Sequence, residues 1–92
     1  MKPVGWNTEK NIRLKAERSV SFEEVLSAMS HGGLLDVLDH PNTEQYPNQR
    51  MFVVRIRGYV YLVPFVETDG ELFLKTIIPS RKATRKYLVE DS

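Results

Sequence analysis

At 92 residues the chain has room for one domain, residues 1–92, that buries roughly 60–70 % of its unfolded surface without staples. The absence of cysteine excludes a disulfide framework and any thiolate metal site; Met1 to Trp6 lacks the apolar run of a signal peptide, and no stretch approaches the ~20 apolar residues of a membrane span. The reading is therefore a soluble cytoplasmic protein, and its net charge of +1 conceals a segregation: residues 19–49 hold Glu23, Glu24, Asp36, Asp39 and Glu44 with no lysine or arginine, while cations collect further on.

The segment Asn7 to Arg18 predicts a first helix capped by Asn7 or Thr8, with Glu9 and Arg13 at a favourable i,i+4 spacing. Only Ile12, Leu14 and Ala16 are apolar, so this helix is expected to be largely exposed, and Lys10, Arg13, Lys15 and Arg18 would add to a cationic surface. A second helix starts at Ser21, which stands at capping-box spacing from Glu24, with Val20 and Val25 placed as a hydrophobic staple. Phe22, Val25, Leu26 and Met29 make its buried stripe, and Gly32-Gly33 ends it.

From Leu34 the period shortens to that of strands. Leu34 to Asp39 is the first, followed by a loop of turn-forming residues from His40 to Gln49. Met51 to Arg57 sets Phe52, Val54 and Ile56 on one face and Val53, Arg55 and Arg57 on the other, and Gly58 permits a tight reversal. Tyr59 to Val66 follows, where Pro64 argues for an edge strand or a bulge. Asp69-Gly70 turns the chain into a last strand, Glu71 to Ile78, before Pro79-Ser80 opens a short terminal helix. Two helices, an antiparallel sheet of about four strands and a C-terminal helix define an α+β layer.

The segment from Lys75 to Lys86 concentrates five cations, Lys75, Arg81, Lys82, Arg85 and Lys86, without one acid. With Ser80 as cap, the helical turn angle pairs Arg81 with Arg85 and Lys82 with Lys86, while Ala83, Tyr87 and Leu88 face the other way. Such a helix can pack on a sheet while holding cations outward, which suits phosphate recognition; it is equally the pattern of a solvated terminal helix. Arg81 and Arg85 lead as phosphate binders because a planar guanidinium fork matches phosphate oxygens. Lys82, Lys86 and Lys10 are auxiliary contacts.

A general base is harder to name. Glu23 and Glu24 open the second helix, where a carboxylate also serves as cap or complements the helix dipole. His40 offers an imidazole in the polar loop, where functional groups often reside, although a lone histidine before proline is more often a turn residue. Tyr46, Tyr59, Tyr61 and Tyr87 could stack on a base, and equally could be packing residues. Asp36, Asp39 and His40 do not converge as a metal site on a straight strand, because Asp39 points away from the other two.

Three stretches carry a family resemblance. Trp6 to Lys10, then Val20-Ser-Phe-Glu-Glu24, and finally Ile77-Ile-Pro-Ser-Arg-Lys-Ala-Thr-Arg-Lys-Tyr87 resemble Trp-Asp-x-x-Lys, Val-Ser-Phe-Glu-Glu and Ile-Ile-Ser-Ala-Arg-Lys-Ala-Thr in BrnT-type toxins of bacterial type II toxin–antitoxin modules. The chain departs where the family commonly has Lys-His-Gly before Val-Ser-Phe: it has Glu17-Arg18-Ser19, so Arg18 keeps a cation and the histidine is gone. Asn7 stands in place of the aspartate. The resemblance implies a BrnT/RelE-like toxin that cleaves RNA without metal or other cofactor. It also implies a ribbon-helix-helix antitoxin as partner and leaves room for a homodimer within the toxin–antitoxin complex. On that reading Arg81, Arg85, His40 and Glu23 are the catalytic candidates, and Lys10, Arg18, Arg55, Arg57, Lys75, Lys82 and Lys86 hold RNA. The rival reading is a non-catalytic module that grips nucleic acid or an acidic protein segment with the same basic surface.

Overall fold

The computed structural model describes residues 2–88, so Met1 and residues 89–92 of the predicted domain lie outside the described residues. In chain order the elements are β1 (Val4–Trp6), α1 (Thr8–Arg18), α2 (Phe22–Ser30), β2 (Leu34–Asp39), β3 (Gln49–Ile56), β4 (Tyr59–Glu67), β5 (Leu72–Leu74), β6 (Ile78–Pro79) and α3 (Arg81–Leu88). The class is α+β as expected, but the sheet has six strands and is mixed. No described helix is long and apolar enough to cross a membrane.

Both N-terminal helices begin where their caps predict. The Asn7 side chain accepts from the Lys10 N–H at 2.9 Å, and α1 ends at Ser19 in the left-handed region. Only Leu14 of α1 is buried, and Ile12 stays 65 % exposed, as its thin apolar stripe requires. Ser21 accepts from the Glu24 N–H at 3.2 Å, yet the reciprocal half of the capping box is replaced. The Glu24 carboxylate turns instead to the Arg57 guanidinium, while Asn11 of α1 accepts from the Phe22 N–H at 2.8 Å and so ties the two helices together. Val20, Phe22 and Val25 are fully buried, whereas Leu26 and Met29 are half-buried at the rim of a hollow. Gly33 follows because a Cβ there would stand 2.7 Å from the Ala28 carbonyl oxygen and 2.8 Å from that of Arg55.

The meander β2-β3-β4-β5 is antiparallel. Arg57 and Gly58, both with positive φ (52° and 77°), make the two-residue turn whose twist suits a hairpin. The predicted final strand is two strands, since β5 pairs with Phe65–Glu67 of β4 and β6 with Tyr61 and Leu62 of the same strand. Pro64 is consequently interior and in unbroken register with β3, a correction to the expected edge strand or bulge. Counted from the turn, Met51 and Pro64 form a non-hydrogen-bonded pair, so β3 loses no donor. On the other side Pro64 sits between the two short strands, and its carbonyl accepts from the Lys75 N–H at 2.8 Å. β1, not expected from the sequence, pairs parallel with β5, Val4 opposite Leu72 and Trp6 opposite Leu74.

One face of the sheet carries the main core: Phe52, Val54, Ile56, Val63, Phe65 and Leu74 meet Leu14, Val20, Phe22 and Val25. Phe52 stacks on Phe65 with centroids 4.0 Å apart, and Trp6 on Phe22 at 5.5 Å. On the opposite face, which Val53 shares with the exposed Arg55, Val53 of β3 and Val60 of β4 are also fully buried. The cover is α3, and it turns the middle of the sheet into an inner layer.

Candidate functional site

The helix α3 is fastened at both ends. Ser80 caps it, its hydroxyl accepting from the Ala83 N–H at 3.0 Å, and its own N–H reaches the Val60 carbonyl at 3.0 Å. The Thr84 hydroxyl accepts from the Val60 N–H at 2.9 Å and donates to the Ser80 carbonyl at 2.8 Å. The start of the helix is thereby bound to the main chain of β4. At its far end the Tyr87 hydroxyl donates to the Asp36 carboxylate on β2 at 2.9 Å. That bond is the main reason the Asp36 carboxyl is held below the usual carboxylate range and the Tyr87 hydroxyl is pushed above the usual tyrosine range.

Outward, α3 presents Arg81, Lys82, Arg85 and Lys86, and none forms a salt bridge among the described residues. The turn angle pairs them as expected. Between α3 and the sheet lies a hollow of ≈ 160 Å³ lined by Leu38, Leu62, Ser80, Ala83 and Tyr87, with Lys82 and Lys86 contributing the charge. The Lys86 ammonium lies 5.5 Å from the centroid of the Tyr87 ring. The lysines, expected to be auxiliary, line the hollow, whereas Arg81 and Arg85 do not.

The remaining expected residues divide between the two faces. Arg55 is exposed and opposite Val60, on the face that α3 covers. Lys75 follows core-facing Leu74, so alternation sets it on the α3 face too. His40 continues the β2–β3 ladder, its N–H donating to the Gln49 carbonyl at 3.1 Å, and so shares the face of Leu38. Its ring is engaged as a turn residue, Nδ1 accepting from the Asn42 N–H at 3.0 Å with Tyr46 4.5 Å away. Arg57 is occupied at the hairpin tip, bonded to Glu24 and, at 2.7 Å, to the Ser19 carbonyl.

Lys10, Arg18 and Glu23 belong to the helical layer on the other side of the sheet. Arg18 donates to the Ile77 carbonyl at 2.6 Å. Glu23 accepts from Asn11 Nδ2 at 2.7 Å, the leading cause of its lowered pKa. The structure therefore does not gather Arg81, Arg85, His40 and Glu23 into one site, because the sheet stands between Glu23 and α3. Of the groups weighed as metal ligands, Asp36 is engaged by Tyr87 and Asp39 by Arg50 at 3.5 Å. Sequence reasoning missed the Asp36–Tyr87 bond and the hollow, since both depend on which strand lies under α3. The apolar side of α3 was the available signal, and it foretold the packing face.

Compared with protein families, curated proteins and solved structures, the chain matches none.

Proposed function

We propose that the chain is a ribonuclease toxin of a bacterial toxin–antitoxin module, cleaving RNA without metal and neutralised by a ribbon-helix-helix antitoxin. The observation that carries this reading is α3 itself: four cations without a salt bridge among the described residues, on a helix fastened across the sheet. The stretch with the most specific BrnT resemblance, Ile77 to Tyr87, is the stretch that builds this surface. Guanidinium and ammonium groups at such a place stabilise the dianionic phosphorane formed when a ribose 2′-hydroxyl attacks its own phosphate. His40, about 7 Å beyond Leu38 along an extended strand, is the imidazole that shares this face and is the proton acceptor in this reading.

The test is induction of the chain alone in a bacterial host, followed by incubation of purified protein with total RNA in chelator. Growth arrest and fragments ending in cyclic phosphate are expected, and His40→Gln should slow cleavage while leaving RNA affinity in place. The non-catalytic module is favoured by one observation, that among the described residues no carboxylate or imidazole lines the hollow beside Lys82 and Lys86. Intact RNA at high protein concentration, with binding retained, would establish that reading instead.

A further inference from the structure

The hollow beside α3 combines two kinds of surface that one ligand chemistry satisfies together. Leu38 and Leu62 form its floor, Ala83 and Tyr87 one wall, and among the described residues the charged groups lining it are the ammoniums of Lys82 and Lys86. Ile78, 40 % exposed, pairs with Leu62 on the neighbouring strand and extends the apolar floor. A bare anion would leave that floor uncovered, and an apolar ligand would leave the two ammoniums beside it unused. We propose that the hollow seats one unpaired base of an RNA strand, with the adjoining phosphate on Lys82 and Lys86. The proposal rests on the reading of the chain as an RNA-directed protein and adds that its substrate is single-stranded.

Size supports a single base. At ≈ 160 Å³ the hollow is about half the ~300 Å³ at which pockets for drug-sized molecules begin, which suits one planar ring system and not a base pair. Tyr87 cannot readily serve as a polar reader, because its hydroxyl is committed to Asp36. What remains is its ring and the apolar floor, and these accept any base by its face. An A-form duplex keeps its bases stacked and its major groove too deep and narrow for entry, so it could offer this surface phosphates alone. Strand selection thus follows from the floor, and affinity for phosphate from the lysines.

The test uses the full chain and three labelled probes with 2′-methoxy sugars, which lack the nucleophilic hydroxyl and cannot be cleaved. They are a short single strand, the same strand annealed to its complement, and a strand of equal length with abasic interior positions. Anisotropy titrations should show the single strand binding about ten-fold more tightly than the other two. A photoreactive iodouridine in the single strand should crosslink to Tyr87. Equal binding of all three probes, falling steeply with salt, would overturn the base seat while leaving a phosphate-binding α3 surface intact. Crosslinking to Tyr46 or Tyr59 in place of Tyr87 would also overturn it. Failure of all three probes to bind would overturn the RNA reading itself, and the seat with it.

Discussion

Tyr87 and Asp36 show how much a single side-chain hydrogen bond can carry when it joins residues 51 positions apart in the sequence. The lowered Asp36 pKa means that this bond stabilises the fold above the ordinary aspartate range, and that the contribution is lost as pH falls through the lowered folded value. The raised Tyr87 pKa works from the other end, with the contribution present below the ordinary tyrosine range and lost as pH rises through the raised folded value. Tyr87→Phe should therefore melt below the parent across the neutral range. The gap should close at both acid and alkaline extremes, and melting curves collected over pH would check it. In the core, Phe22 is fully buried and stacked on Trp6, so Phe22→Ala should cost about 3–5 kcal/mol by denaturant unfolding.

At the scale of elements, α3 is a borrowed structure. It spans 8 residues and has none that is buried, and a helix of that length is not stable alone in water. Its fastening to β4 through Ser80 and Thr84 supplies what its own sequence lacks. Ser80→Ala should remove the cap and cost about 1 kcal/mol, and faster amide exchange within α3 than in α2 would be the measurement. Caps, the reversal at Gly58 and the outward pairing of the α3 cations were legible in the sequence because each depends on residues within a few positions of one another, although Arg57, read as the end of the strand, belongs to the turn. β1 was not legible, being only three residues with a glycine at its centre. The division of the last strand was hidden because Leu72 to Ile78, apolar on either side of Lys75 and Thr76, reads as one extended segment until β4 is known to have two partners along one edge. Likewise the one-residue step, about 100° around the helix, that brings lysines rather than arginines to the hollow depends on where α3 lies on the sheet.

For the whole molecule, the segregation of charge along the chain does not survive as two opposed surfaces. Four of the five acids between positions 19 and 49 are engaged within the fold, Glu23 by Asn11, Glu24 by Arg57, Asp36 by Tyr87 and Asp39 by Arg50. The α3 cations, by contrast, have no salt bridge among the described residues, and so the basic half is the one with charge to offer a partner. Replacing both Arg81 and Arg85 by glutamine should leave stability within about 0.5 kcal/mol, since exposed charges contribute little to folding. It should also make RNA binding less steeply dependent on salt, by about 0.7 in logarithmic slope for each single-strand phosphate that is no longer neutralised. An unchanged slope in titrations at several salt concentrations would remove the arginines from the RNA surface.

The parallel pairing of β1 with β5 bears on the order in which the protein comes into being. Synthesis delivers Val4–Trp6 early, but their partner Leu72–Leu74 is made near the far end of the described chain and must itself be held by β4. A nascent chain can form its first two helices, yet it has no finished sheet to lay them on, and α3 comes later still. Fragments that stop before residue 72 should remain open to protease, while the whole chain resists it. The protein thus acquires its α3 surface only after residues 72–88 have been made, a delay written into the strand order.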